Sequence, residues 1–173
     1  AGPGPSHGVR APSRLRHVAT VVVACALALP ALAQNEPVRI VQRQGEVRAD
    51  GRIVSTGAAS GAQIVLPGGV TAALGASSEV ELAAPGGTPR LTLRAGSLRL
   101  DATAAPAGWR VDLGDRSILT NGWLVLVPCA EGCGERPGLY GRITSGDAVL
   151  EYRGGRSVLR NRAFFWPSAE LRP

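Results

Sequence analysis

Methionine is absent from all 173 residues, every basic side chain is Arg, and the two His, His7 and His17, both precede Gln34. From Gln34 onward the chain therefore has neither imidazole nor primary amine. That excludes His general bases, Ser–His and Cys–His nucleophiles, Lys Schiff bases and the commonest zinc or iron ligand. Aromatic residues are scarce at 4%, so few side chains are on hand for stacking. No segment after residue 33 shows helical periodicity, so no Gly-rich loop leads into a helix to cradle phosphate. The missing Met also leads us to expect that the written N-terminus is not the start of translation, with Val9 as a candidate start codon.

What is present begins with an export signal. Residues 1–8 are Gly, Pro, Ala and Ser with one His, and residues 1–9 are expected to be an unstructured leader. Residues 10–33 read as a helical signal peptide. Arg10, Arg14, Arg16 and His17 form a basic start, Val18 to Leu29 is apolar apart from Thr20, and Pro30 breaks the run. Ala31-Leu32-Ala33 supplies the small-x-small pattern for cleavage between Ala33 and Gln34. The apolar run is shorter than the roughly 20 residues of a membrane span, so no transmembrane helix is expected once it is removed. Val22-Val23-Ala24-Cys25 is a competing lipoprotein box; the apolar residues that follow Cys25 argue against it. The product is expected to be periplasmic or secreted.

Beyond the signal, sixteen Arg face thirteen acids, a net charge of +3. Charge so small and scattered does not make a nucleic-acid site, which needs a stripe or patch. In an oxidising compartment Cys129 and Cys133 read as a disulfide closing the small Cys-Ala-Glu-Gly-Cys loop. A loop that short is expected to add stability near the low end of about 2–4 kcal/mol. The alternatives are a redox pair, usually spaced Cys-x-x-Cys, and half of a metal site with no further thiol or imidazole to complete it.

The stretch Leu66 to Leu82, LPGGVTAALGASSEVEL, sets the rhythm of the rest. A strand ends in Pro-Gly-Gly, a short strand follows, and Gly-Ala-Ser-Ser turns into a third. Asp50-Gly51 marks a hairpin, and Gly114-Asp115, Asn121-Gly122 and Gly154-Gly155 mark turns. Leu91 and Leu93 alternate with Thr92 and Arg94, and Leu98 and Leu100 with Arg99 and Asp101, the period of half-buried strands. Trp123 to Val127 is apolar throughout and is expected to be the most central strand, covered on both faces. Leu139–Thr144 and Ala148–Tyr152 are expected to pair around Ser145-Gly146-Asp147. A weak internal echo of Gly followed by a strand recurs as GEVRADG at 45–51, GSLRLDA at 96–102 and GDAVLEY at 146–152. Its irregular spacing argues for wrapped hairpins over a strict solenoid. The fold expected is all-β, a single domain of short strands in a β-roll, β-helix-like or sandwich stack. Residues 34–44 form an N-terminal segment, 45–167 the β domain and 168–173 a tail.

Among the acids, Glu79 and Glu81 share one strand face, and Asp112 and Asp115 flank a turn. Solvated surface is the commoner role for each, so no catalytic residue, metal ligand or cofactor is expected. Trp109, Trp123 and Trp166 could offer a stacking platform, although a lone Trp in a β domain more often fills core. Trp109 and Trp123 with Arg94 and Arg99 are the candidate binding surface.

Three stretches carry a resemblance: GEVRADGR at 45–52, STGAASGAQIVLPGGVTAALGASSEVEL at 55–82 and LTLRAGSLRL at 91–100. Together they resemble the FecR domain, the periplasmic sensor domain of the iron-dicitrate regulator family. The family pattern appears as Leu66-Pro67-Gly68-Gly69-Val70 and then Leu74-Gly75-Ala76-Ser77-Ser78-Glu79-Val80-Glu81-Leu82. Ile143 to Leu150 is similar to its late strand–Gly–strand hairpin. Asn121-Gly122-Trp123 departs from the family's usual Gly-Thr, and Asn161 replaces a late Gly. The resemblance spans residues 45 to 166; the sequence departs from family regulators in showing none of the helical and membrane parts that control a sigma factor, so a freestanding exported domain is expected. With no imidazole or amine after Gln34, the domain is expected to be non-catalytic and to bind a cell-envelope protein. A peptidoglycan- or carbohydrate-binding module is the alternative, and a hydrolase using only carboxylates a distant second.

Overall fold

The computed structural model describes residues 2, 38–83, 88–129, 136–160 and 162–167. The expected signal peptide, the Ala33–Gln34 cleavage point, Cys25, Cys133 and the tail 168–173 lie outside these residues. What is described is all-β: fifteen strands in two sheets, with one 3-10 turn at Pro67–Gly69 and no α-helix.

The chain visits the sheets alternately. It opens on β1 (Arg39–Gln44) in a seven-stranded sheet and crosses to an eight-stranded one for the hairpin β2 (Val47–Asp50) and β3 (Ile53–Thr56). The hairpin β4 (Gly61–Val65) and β5 (Thr71–Leu74) returns to the first sheet, and β6 (Glu79–Leu82) with β7 (Arg90–Ala95) goes back to the second. A single strand, β8 (Leu98–Asp101), then joins the seven-stranded sheet. Alternation resumes with β9 (Trp109–Leu113) and β10 (Arg116–Thr120), β11 (Trp123–Cys129) and β12 (Gly138–Ser145), β13 (Asp147–Tyr152) and β14 (Gly155–Arg160), and β15 (Ala163–Pro167).

Within each sheet the strands lie in chain order: β1-β4-β5-β8-β11-β12-β15 in one, and β2-β3-β6-β7-β9-β10-β13-β14 in the other. The polypeptide winds steadily from one end of the stack to the other. Of the candidate architectures, this is a roll of wrapped hairpins. Every pairing is antiparallel except β7 with β9. The solitary β8 explains the exception: one unpaired crossing reverses the side from which the next hairpin starts.

Three of the crossings are tight because of glycine. Gly45, Gly96 and Gly146 sit between β1 and β2, β7 and β8, and β12 and β13, with φ of +70°, +73° and +72°. Only glycine enters that left-handed region without strain, so the sequence echo marks sheet-to-sheet corners. β12 and β13 accordingly lie in different sheets and do not form the expected hairpin.

One core fills the space between the sheets. Val54, Val80, Leu91, Val111 and Ile118 face Ile64, Leu98, Leu100, Leu124, Leu126 and Ile143, all buried. Strands alternate buried and exposed residues, as in β4 and β8, because each sheet has one wet face. The segment containing residues 39–44 is part of this body, since β1 pairs with β4 along its length.

The segment from Leu74 to Leu82 has a structural task. The Thr56 hydroxyl donates to the Gly75 carbonyl (2.6 Å) and accepts from the Ser78 N–H (2.9 Å). The Ser78 hydroxyl donates to the Ser97 carbonyl (3.0 Å) and accepts from the Ser97 N–H (2.9 Å). Three corners are thereby tied into one buried knot. A second knot follows at Thr120, whose hydroxyl donates to the Asp147 carbonyl (3.0 Å) and accepts from the Gly122 N–H (3.1 Å).

Candidate binding face

Each sheet presents one face to solvent, and the two faces differ in charge. The strands of the eight-stranded sheet carry seven Arg and six acids. Arg94 pairs with Glu79 and Glu81, Arg90 with Asp112, Arg110 with Asp112 and Glu151, and Arg160 with Asp147. The hydrogen bond and charge of Glu81, reinforced by Glu79, hold the Arg94 guanidinium above its ordinary pKa. Arg110 is raised likewise, first by its hydrogen bond to Asp112. This face neutralises itself.

The strands of the seven-stranded sheet carry four Arg, namely Arg39, Arg43, Arg99 and Arg142, against the single acid Asp101. None of the four is in an ion pair among the described residues. Asp101 accepts hydrogen bonds from the backbone and hydroxyl of Thr103.

β11 lies between β8 and β12. Its odd residues point outward and its even ones, Leu124 and Leu126, are buried. Trp123 is 44% and Val127 47% exposed, so the strand is covered on one face only. The expectation of cover on both sides fails because Trp123, Val125 and Val127 have no layer beyond them. Register places Val125 opposite Arg99 on one side and Arg142 on the other. Trp123 lies beside Asp101 and Ser145, and Val127 beside Tyr140, which in turn faces Phe165. The Tyr140 and Phe165 rings are 4.7 Å apart, and the Arg136 guanidinium covers Phe165 at 4.8 Å. The result is a flat apolar strip flanked by two exposed, unpaired guanidinium groups.

The four candidate surface residues are divided by this geometry. Trp123 and Arg99 share the strip. Arg94 is on the opposite sheet, engaged by Glu79 and Glu81. Trp109 is 2% exposed and belongs to the core, so it cannot contact a ligand. Trp166 is buried too, under the Arg116 guanidinium at 5.2 Å. Cys129 ends β11, while Cys133 lies outside the described residues. Sequence reasoning missed Val125, Val127, Tyr140 and Arg142. Trp123–Val127 is apolar throughout, so no alternation in the sequence could single out the first two; Arg142 needed the β11–β12 register.

Among the described residues, no group of three His, Cys, Asp or Glu could hold a metal ion, and no helix is long and apolar enough to cross a membrane. A hollow of about 400 Å³ opens where β7, the end of β9, Pro128 and Leu139 meet. No family model matches the chain, and no curated protein is significantly similar to it.

Proposed function

We propose that the chain is a non-catalytic, exported domain of the FecR type that docks a cell-envelope protein through the outer face of its seven-stranded sheet. One observation carries the reading: solvent-facing charge is neutralised on one sheet and left unpaired beside exposed Trp123 and Val127 on the other. Apolar surface rimmed by charge is the composition of a protein contact. Glu79 and Glu81 are committed to Arg94, which supports a structural role for the paired carboxylates over a catalytic one. The signal-like segment supports delivery to the periplasm or beyond, where the Cys129–Cys133 disulfide would close.

Photo-crosslinking in the native host tests this. A photoreactive side chain in place of Val125 is expected to capture a discrete protein, and one in place of Thr92, on the other sheet, to capture none. Equal capture from both positions, or none from Val125, overturns the reading.

A further inference from the structure

We infer that the occupant of this face is an acidic polypeptide segment that sets an apolar side chain between two carboxylates. This deepens the docking reading and rests on it. Arg99 and Arg142 flank Val125 on the strands to either side. Two strand spacings separate their backbones by about 10 Å. Neither guanidinium has an ion pair or hydrogen bond among the described residues, although six of the seven Arg in the other sheet's strands are paired. A partner that supplies carboxylates at that separation completes two charge-assisted hydrogen bonds, and like charges are repelled.

The ground between the two Arg decides the class of molecule. It is aliphatic, made by Val125 with Val127 above it, and Trp123 closes the lower end. An acidic glycan whose carboxylates engaged both Arg would lay hydroxyl groups over Val125 and Val127, whose aliphatic side chains offer no hydrogen bond, and a buried unpaired hydroxyl is costly. The other aromatic groups nearby are already engaged. Arg136 covers Phe165, and the Tyr140 hydroxyl donates to the Arg136 carbonyl. A Leu-like side chain between two Glu meets each surface with its complement. A helix presents this set with Glu seven residues apart, since a rise of about 1.5 Å per residue spans about 10.5 Å.

The test uses the purified exported chain and two synthetic helical peptides. One carries Glu at positions i and i+7 with Leu at i+3 and i+4; the other has Gln in place of both Glu. Trp123 is the exposed one of three Trp, with Trp109 and Trp166 buried, so its emission reports occupancy. The Glu peptide is expected to bind about tenfold or more tightly than the Gln peptide at low salt, as desolvated charge pairs imply. Arg99→Gln with Arg142→Gln should abolish that difference, and Arg99→Lys with Arg142→Lys should keep most of it. Both sites are exposed, so an unchanged melting temperature verifies folding.

Equal binding of the two peptides overturns the proposal. So does polygalacturonate binding as tightly as the Glu peptide, which would make the occupant a glycan. Crosslinking separates this failure from that of the docking reading. If capture from position 125 persists undiminished in the Arg99→Gln, Arg142→Gln background, the acidic occupant is wrong and the docking face stands. If position 125 captures nothing in the parent chain, the docking face itself is wrong.

Discussion

Gly141 shows how much a single side chain can matter in a structure this thin. It lies opposite Phe164 across the β12–β15 pair, and a Cβ added there would run into the Phe164 ring. Gly141→Ala is expected to destabilise the fold by about 1–3 kcal/mol, the usual range for overpacking, as a lower urea midpoint with unchanged slope. Ser78 is the second such residue. It is 1% exposed and serves as donor and acceptor to the Ser97 backbone. Ser78→Ala strands buried polar groups and should cost about 1–3 kcal/mol, measured in the same way. The sequence disclosed the Gly-Ala-Ser-Ser segment as a turn, since turn chemistry is local. It could not disclose the knot, because Ser97 is 19 and Thr56 22 residues away from Ser78.

Strands were legible one at a time. The turns at Asp50-Gly51, Pro67–Gly69 and Gly114-Asp115 fall where hairpins form, because Gly and Pro punctuate a chain through their own backbone limits. What alternation cannot tell is which sheet a strand joins. Ser145-Gly146-Asp147 looks like a hairpin turn but is a corner, since Gly146 turns the chain across the core to the other sheet. A Cβ at Gly146 would also press on the Gly122 backbone. Gly146→Ala should therefore cost about 1–3 kcal/mol, a typical penalty for a strained backbone, detectable by thermal unfolding. β11 offers an internal control. Leu126 is fully buried, so Leu126→Ala should cost about 2–5 kcal/mol. Val127→Thr, on the wet face one residue later, should stay within about 0.5 kcal/mol. Equal losses at the two positions would contradict the one-sided cover of this strand.

At the scale of the whole molecule the separation of charge between the two faces governs behaviour. Crosslinking capture from position 125 is expected to weaken as salt rises, because Arg99 and Arg142 are exposed and screened within a Debye length of about 8–10 Å. Arg94→Ala, on the self-neutralised face, should leave capture unchanged, and a crosslinking yield measured across a salt series checks both outcomes. The upward shifts at Arg94 and Arg110 act on cations. Their contribution is intact below the ordinary arginine range and lost only in strong alkali, so these pairs predict no loss of stability between about pH 6 and 10. None of this segregation is visible in the net charge, which averages over both surfaces; it appears once each Arg is assigned to a sheet.

The unbroken ordering of strands has a consequence for how such a molecule comes into being. A ribosome delivers the N-terminal residues first, and in both sheets each newcomer lies directly against a strand already made. Assembly can thus advance like a zip fastener, every finished rung serving as the template for the next, with no early strand kept waiting for a distant mate.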